Sequence, residues 1–235
     1  MYRIDYGFLL REVWVAFTML PFTLMLAAVP TLFGLAVGAL LAIVRIQRVP
    51  VLRSVVQGYV VLIRGMPTVL MLLIVYFAFV FGFDALMEKL GWSARSANIP
   101  PTLFAMGVLA FIATAFMTES IRTALLSVPK GQTEAAQSIG MTNFDIYRRV
   151  VIPQALPVAI PILGNAFIGQ AKGTALVTMI GVTDLVTRVR IEANASYRYL
   201  EAYIAVALVY WALCVGIEQG VRLLNKSVRV RAGGV

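Results

Sequence analysis

Long uncharged blocks alternate along this chain with short segments that hold most of its charged residues. A membrane-spanning helix needs about 20 mainly apolar residues, and five of the blocks reach that length. The fourth contains several prolines, which kink helices or mark their starts. We predict spanning helices at residues 20–44, 60–83, 98–121, 152–172 and 201–224.

The composition supports an all-α integral membrane protein. Of 235 residues, 60% are hydrophobic and only 13% are charged, whereas soluble domains usually carry about 25% charged residues. A water-soluble fold of this composition would expose large apolar patches. We therefore expect one transmembrane domain over residues 1–235, with a structured loop at 122–151 between the third and fourth spans. Residues 84–95 favour a short amphipathic helix on the outer surface.

The positive charge of the chain is distributed as membrane orientation requires. The net charge is +9, but nucleic-acid binding would need a basic face on a polar domain, and no such domain is predicted. Twelve of the 20 Lys and Arg residues lie in the loops after the first and third spans, at the start of the second, and in the C-terminal tail. This bias places the N-terminus outside and the C-terminus in the cytoplasm.

Cysteine and histidine usage excludes several kinds of site. The single cysteine, Cys214, lies within an apolar block and cannot form an intramolecular disulfide. We interpret it as a small packing residue of a membrane helix. The chain has no histidine, so no histidine-based metal or catalytic site is expected, and we predict neither a metal site nor a catalytic residue.

The loop after the third span has helical chemistry of its own. Glu134-Ala-Ala favours a helix, and Gly140 is suited to end it. Thr142 then caps a second helix, with Asp145 three residues later in the position of a capping box. Two short helices joined at a glycine would form a compact knob, which we define as residues 127–151. An ordinary structured loop explains the local chemistry equally well.

The order and spacing of several motifs identify a family. Gly131-Gln-x-Glu-Ala-Ala-x-x-x-Gly140, followed by Ile152-Pro-Gln-Ala-Leu-Pro157, resembles the EAA signature of permease subunits of ABC importers. Nearly the whole chain resembles the polar amino acid branch of that family. Further segments resemble it in the expected order: Arg64-Gly-Met-Pro67, Glu119 with Arg122, Ser127-Val-Pro129, Lys172-Gly-Thr-Ala-Leu176 and Gly181-Val-x-Asp-Leu185.

This resemblance implies a type I ABC importer permease fold with cytoplasmic coupling helices, in a bacterial cytoplasmic (inner) membrane. It implies three kinds of protein partner, namely ABC ATPase subunits, a second permease subunit that is the same or homologous, and an extracytoplasmic solute-binding protein. The solute would be an amino acid or a similar small polar molecule. The ATPase-coupling residues would be Gly131, Glu134, Ala135, Ala136, Gly140 and Pro153.

Energy for such transport must come from another polypeptide. The chain has no Gly-x-x-x-x-Gly-Lys-Ser/Thr loop to bind nucleotide. We therefore expect a non-catalytic subunit without a cofactor, with ATP and Mg²⁺ bound by the partner ATPase. One alternative is a small proton-coupled secondary transporter that uses Glu119 as a relay, which would leave the knob unexplained. A second is a non-transporting scaffold, which would not need the prolines of the fourth span.

Four residues are candidates for the solute pathway, namely Glu119, Thr118, Lys172 and Thr174. A carboxylate within a span is costly and usually faces a bundle interior or water. Glu119 could meet a substrate ammonium group with Thr118 beside it, or it could form a structural pair with Arg122, one turn away. Lys172 and Thr174 could meet a substrate carboxylate, or they could mark a simple helix end with a snorkelling lysine.

Three departures from the family pattern make the expected pathway less polar. Gly173 replaces an aspartate, Met71 replaces a frequent glutamine, and Phe116 replaces a tyrosine. The site could therefore lie elsewhere, lie in the partner subunit, or accept a less polar solute. Asn165 and Gln170 could line the path or make interhelical hydrogen bonds, which is the commoner role of such residues in membranes.

Overall fold

The computed structural model describes residues 3–231, without the side chain of Arg231, one of the tail cations. The described residues form α-helices and no strand. Short 3₁₀ segments lie at Ser96–Asn98 and Thr174–Ile180, and a π-helical turn at Tyr147–Val151. The α-helices are Tyr6–Thr18 (α1), Leu20–Ile46 (α2), Leu52–Gly65 (α3), Thr68–Lys89 (α4), Pro101–Leu126 (α5), Lys130–Ser138 (α6), Asn143–Ile146 (α7), Ile152–Gly173 (α8), Leu185–Ser196 (α9) and Tyr199–Arg231 (α10).

Five helical segments in the described part of the chain are long and apolar enough to cross a membrane. They are α2, α4, α5, a continuous helical stretch from Asn143 to Ile180 that contains α8, and α10. The prediction of an all-α membrane protein with about five spanning helices is therefore confirmed. The protein is a multi-pass membrane protein.

The second span differs from the predicted range 60–83. The structure divides this stretch at Met66 and Pro67, and α4 begins only at Thr68. Met66 is extended, with φ −108° and ψ 153°, because a proline disfavours the helical conformation of the residue before it. The residues before the break form α3, a separate helix that packs against α2 and α5.

The outer end of α4 also differs from expectation. The sequence favours a separate surface helix over residues 84–95, but α4 continues without interruption to Lys89. Asp84 accepts hydrogen bonds from the Ser96 backbone N–H at 2.6 Å and from the Ser96 hydroxyl at 2.8 Å. The carboxylate therefore holds the following loop against α4, where the sequence suggested the start of a new element.

Helices α2 and α5 pack closely, and glycine makes this contact possible. A Cβ atom at Gly34 would lie 2.9 Å from the Ala113 carbonyl carbon, and one at Gly38 would lie 2.9 Å from the Thr118 nitrogen. No side chain fits at either position, so the spacing is a small-xxx-small packing motif. Since residue numbers rise together on both helices, α2 and α5 run in the same direction, as first and third spans must.

The first helix, α1, packs against α9 and α10 without being one of the five long apolar segments. Its buried side includes Phe8 and Ala16. Asp5 caps the helix and lies 3.1 Å from Arg198, measured from Oδ2 to Nη1. The opposite side exposes aromatic residues such as Trp14, which are typical of a membrane interface.

Candidate functional site

The knob contains the two short helices expected from its sequence. Gly140 joins α6 to α7 in the left-handed conformation, with φ +80°. The Thr142 hydroxyl accepts a hydrogen bond from the Asp145 backbone N–H at 3.2 Å and donates one to the Asp145 carboxylate at 2.7 Å. Gly140 therefore ends the first short helix and Thr142 caps the second, as the local sequence predicts.

A small apolar core fixes the knob to the membrane helices. Ala136, Ile146 and Val151 are buried together, and Leu125 at the end of α5 packs against them. Because this core joins α6 and α7 to both α5 and the start of α8, the knob can move as one rigid body with the spanning helices.

The predicted coupling residues lie on this knob with one side buried and the rest exposed. Ala136 is buried in the small core. Five others are exposed to solvent, namely Gly131, Glu134, Ala135, Gly140 and Pro153. They form a surface on which another protein could dock, and their role in coupling stays a prediction.

Sequence reasoning missed two apolar residues on the same surface. Ile139 is 77% exposed and Phe144 is 70% exposed, on either side of Gly140. Large apolar side chains exposed together on a polar segment are typical of protein–protein contact sites. The signal was present in the sequence, as one bulky apolar residue on each side of a glycine turn.

A cavity of about 250 Å³ lies between α4, α5 and α8. It is large enough for a small solute, although smaller than typical drug-sized pockets. The residues that line it are Thr68, Leu72, Leu109, Ile112, Ala113, Phe116, Met117, Asn165, Ala166, Gly169, Gln170 and Gly173.

The cavity offers neutral polar groups and no charged side chain. Gln170 is almost fully buried, and its amide nitrogen donates to the Leu109 carbonyl at 3.2 Å. This bond between α8 and α5 is the interhelical role considered for Gln170. Asn165 and Thr68 are exposed at the wall. A solute with a small or apolar side chain would suit this lining better than a charged one.

Two of the three departures from the family pattern lie in this wall. Gly173 and Phe116 both line the cavity, so an aspartate and a tyrosine at these positions would have made it more polar. Met71 is 1% exposed and belongs to the main apolar core. The loss of polarity expected from the sequence therefore concerns the cavity at two positions and the core at the third.

Glu119 forms ion pairs with two arginines. Its carboxylate binds Arg122, as the structural alternative predicted, and its Oε2 atom lies 2.5 Å from Nη1 of Arg45 on α2. Arg45 also donates to Gln57 of α3. Glu119 does not line the cavity. The cluster joins α2, α3 and α5, and a role for Glu119 in the solute pathway stays a prediction.

The other three pathway candidates do not converge on one point. Thr118 is fully buried and donates to the Thr114 carbonyl at 2.7 Å. The Thr174 hydroxyl is also buried, donates to the Ala171 carbonyl at 2.8 Å and lies 3.2 Å from the Tyr210 hydroxyl. Lys172 is exposed on α8. None of the three lines the cavity. Their contact with the solute therefore stays a prediction.

Beyond α8, the segment Gly181-Val-x-Asp-Leu185, which resembles a segment of the family, forms a turn that is held by hydrogen bonds. Asp184 is buried and caps α9, accepting from the Thr187 backbone N–H at 2.9 Å. Burial raises the pKa of the Asp184 carboxyl above its usual value, and the hydrogen bonds from Thr187 oppose that rise. The residue therefore has a structural role in this turn.

Comparison with known proteins identifies the family. The model of the family described as "Binding-protein-dependent transport system inner membrane component" matches residues 34–230. The chain is 36% identical over 210 residues to the L-cystine transport system permease protein TcyL of Bacillus subtilis, covering 89% of this chain and 85% of that protein. It is 35% identical over 216 residues to the probable amino-acid permease protein YxeN of the same organism, covering 92% of each.

Solved structures agree with the sequence relatives. An amino acid ABC transporter crystallised with histidines superposes with a TM-score of 0.79 at 29% identity, covering 96% of this chain and 100% of the other. The MetNI methionine ABC transporter in an inward-facing form gives a TM-score of 0.61 at 23% identity, which concerns the fold alone. The chain has an ABC transporter permease fold and belongs to the family of binding-protein-dependent transport system inner membrane components.

Proposed function

We propose that this chain is the membrane-spanning permease subunit of an ATP-driven ABC importer for an amino acid or a similar small polar solute. The cavity between α4, α5 and α8 carries this proposal, because it places neutral hydrogen-bonding groups in a wall shared by three spanning helices. An amino acid is the expected class of solute, because the relatives YxeN and TcyL are described as an amino-acid permease and an L-cystine permease. The secondary-transporter alternative finds no support among them.

A second permease subunit, identical or homologous, is expected to cover the cavity. Asn165 is exposed within a spanning helix. An amide facing lipid would lack hydrogen-bond partners, and such groups in membranes usually face a bundle interior or another helix. A partner on this side would complete the wall and keep solute away from lipid.

The knob is proposed to seat in a groove of an ABC ATPase. Its exposed surface includes the apolar residues Ile139 and Phe144 and the predicted coupling residues. ATP and Mg²⁺ would then be bound and used by that ATPase, and this chain would be non-catalytic. An extracytoplasmic solute-binding protein would deliver solute to the opposite face in the bacterial inner membrane.

The proposed orientation has a direct test with topology reporters. A reporter active only outside the cytoplasm should work when it is fused at Ser93 and fail when it is fused at Thr142 or at the C-terminal end. The reason is the excess of Lys and Arg on the knob side of the membrane. Alkaline phosphatase fusions, with equal expression checked by immunoblot, provide the measurement. The reverse pattern would overturn both the orientation and the coupling role of the knob.

Filling the cavity should abolish most transport. Gly169 lines it, and a Cβ atom there would meet nothing within 4 Å, so Gly169→Leu would project into the open space. A leucine side chain there would occupy part of the volume that a solute needs, and a loss of about 1.4 kcal/mol in solute binding corresponds to a tenfold change. We therefore expect uptake to fall by about tenfold. The measurement is uptake of labelled amino acids by vesicles containing the permease, its ATPase and its binding protein.

A matched control separates the cavity from general effects on helix packing. Gly216 of α10 is exposed, and a Cβ atom there would also meet nothing within 4 Å. This glycine lies outside the cavity lining. Gly216→Leu should therefore leave uptake close to the unmodified level. Unchanged uptake in Gly169→Leu would exclude this cavity from the solute pathway.

A further inference from the structure

A second and larger cavity, about 740 Å³, runs as a groove between α2, α3, α4 and α5. Among the described residues of its lining, side-chain polar atoms occur only on Tyr59 and Thr114. The Tyr59 hydroxyl donates to the Phe111 carbonyl at 2.5 Å, and the Thr114 hydroxyl donates to the Ala110 carbonyl at 2.8 Å. Both groups are satisfied within the protein, so the groove suits hydrocarbon and not a polar solute.

The length of the groove corresponds to one leaflet of a bilayer. Its wall on α2 extends from Val29 to Leu41, which is about 18 Å at the helical rise of 1.5 Å per residue. The hydrocarbon core is about 30 Å thick, so one leaflet contributes about 15 Å. A single acyl chain lying along α2 would therefore match the length of the groove.

One end of the groove lies at the turn between α2 and α3. Leu52, the first residue of α3, belongs to the lining. Arg48 lies in the turn before it and Arg53 directly follows it in α3, and the orientation proposed above places both at the cytoplasmic surface. The cytoplasmic leaflet is the one that presents anionic phospholipids to basic segments next to spanning helices.

Two arginines stand free at this end. Arg48 and Arg53 are exposed, and neither has an ion-pair partner within residues 3–231. Arg45, by contrast, is bound to Glu119. Arginine binds phosphate oxygens in a bidentate manner, so the two free guanidinium groups offer a phosphate site beside the mouth of the groove.

The turn that carries Arg48 and leads into α3, where Arg53 lies, has a defined and strained backbone. Arg48 and Val51 have positive φ angles of 55° and 63°, which are costly for residues other than glycine. The turn is closed by hydrogen bonds from the Val49 N–H to the Val44 carbonyl and from the Arg53 N–H to the Val49 carbonyl. Strain of this kind persists where the surrounding structure enforces it, and here it fixes the position of Arg48.

We propose that the groove and this turn bind an anionic phospholipid of the cytoplasmic leaflet, with an acyl chain along α2 and the phosphate on Arg48 and Arg53. A second copy of the chain is a poorer occupant, because the partner subunit proposed above covers the other cavity, between α4, α5 and α8, and this groove ends at two arginines without ion pairs among the described residues. A polar solute is a poor occupant, because the hydroxyls of Tyr59 and Thr114 already donate to backbone carbonyls within the protein. The proposed lipid matches the groove in polarity, length and charge.

Native mass spectrometry of the permease–ATPase complex provides the test. The complex is purified from nanodiscs that contain phosphatidylglycerol or phosphatidylcholine, and the lipid retained by each protein is counted. The unmodified complex should retain phosphatidylglycerol preferentially. Replacing both residues, Arg48→Gln with Arg53→Gln, should lower this preference by about fivefold for each arginine. Arg229→Gln, an exposed tail residue without an ion pair in the described chain, is the charge control.

A second variant tests the groove itself. Gly107 lines it, and a Cβ atom there would have only the Phe79 ring within 4 Å, at 3.8 Å. Gly107→Leu should reduce retention of both lipids, whereas Gly216→Leu should not. If Gly107→Leu fails to assemble, the arginine variants still decide the question. Equal retention of the two lipids by the unmodified complex would overturn the proposal.

Cross-linking tests the competing occupant. Phe33 lies in the groove wall, and the single native cysteine can be removed as Cys214→Ser. In that background, Phe33→Cys should not form a disulfide between two copies in membranes. Efficient cross-linking would show that a second copy covers the groove and would overturn lipid binding. If the variant with Arg48→Gln and Arg53→Gln kept the lipid preference of the unmodified complex, the proposal that these arginines bind the lipid phosphate would be overturned.

Discussion

Replacing Gly140 with leucine should uncouple ATP hydrolysis from uptake while leaving membrane insertion intact. Gly140 joins α6 to α7 with φ +80°. A left-handed conformation costs an L-residue with a side chain roughly 1–2 kcal/mol. Leucine should therefore favour another backbone conformation at this position and change the relative placement of the two short helices.

The expected defect is one of shape and not of packing. Gly140 is exposed, and a Cβ atom there would meet nothing within 4 Å, so a side chain can begin at this position without a clash. The small core around Ala136, Ile146 and Val151 holds the knob from the other side. A knob that is still attached but presented in a different shape would transmit ATPase closure poorly, because coupling of this type moves rigid bodies.

Uptake and ATPase rates measured on the same reconstituted complex test this prediction. Gly140→Leu should retain basal hydrolysis, lose stimulation by the solute-loaded binding protein, and lose most uptake. Gly140→Asn is the matched control, because asparagine tolerates the left-handed region better than leucine. It should keep a substantial share of transport. Normal stimulated hydrolysis and uptake in Gly140→Leu would contradict the assigned role of the turn.

The knob was predictable because its structure depends on neighbours in sequence. A glycine that ends a helix and a threonine that caps the next one act over three or four residues. Both are present as expected at Gly140 and Thr142. The break before α4 had an equally local signal in Pro67, which the long apolar run concealed.

Features that depend on distant residues were less accessible. The contact of Arg45 with Glu119 joins residues 74 positions apart, and periodicity does not identify which helices meet. The close packing of α2 on α5 did have a signal, since Gly34 and Gly38 are separated by three residues within an apolar block. The motif indicates that some helix approaches closely, but it does not say which one.

The candidate cavity illustrates the same limit. Its wall comes from three helices, and its polarity depends on which residues face inward. Phe116 and Gly173 could be named from the family pattern as less polar replacements, but only packing places them in one wall while Met71 enters the core. Chemical identity was predictable from sequence, and the grouping of side chains was not.

Neutralising Glu119 should destabilise the protein because two arginines depend on it. Glu119 pairs with Arg45 and Arg122, and its side chain is only 17% exposed. In Glu119→Gln the two guanidinium groups would face each other without a counter-charge. Removing one partner of a buried ion pair typically costs about 3–5 kcal/mol, and the partial exposure of this cluster favours the lower part of that range. Thermal unfolding of the detergent-solubilised complex is the measurement.

The two arginines should differ in their contributions. Arg45 is 8% exposed and also reaches Gln57 of α3, whereas Arg122 is 28% exposed. Arg45→Gln should therefore lower the unfolding temperature more than Arg122→Gln. The loss in the double variant of Glu119 and Arg45 should be smaller than the sum of the single losses, since each removes the same interaction. If the losses of stability were additive, the ion pair of Glu119 with Arg45 would make no net contribution to the stability of the protein.

The same variants decide whether Glu119 also contacts solute. A structural pair predicts that Glu119→Gln and Arg45→Gln lose uptake in proportion to their loss of assembled complex. Contact with a substrate ammonium group predicts that Glu119→Gln loses uptake while assembly, unfolding temperature and basal ATPase activity remain normal. The geometry favours the first outcome, because the carboxylate is directed at two guanidinium groups and lies outside the cavity lining. Uptake per assembled complex, compared between Glu119→Gln and Arg45→Gln, separates the two roles: equal values support the structural pair, and a selective loss in Glu119→Gln assigns the carboxylate to the pathway.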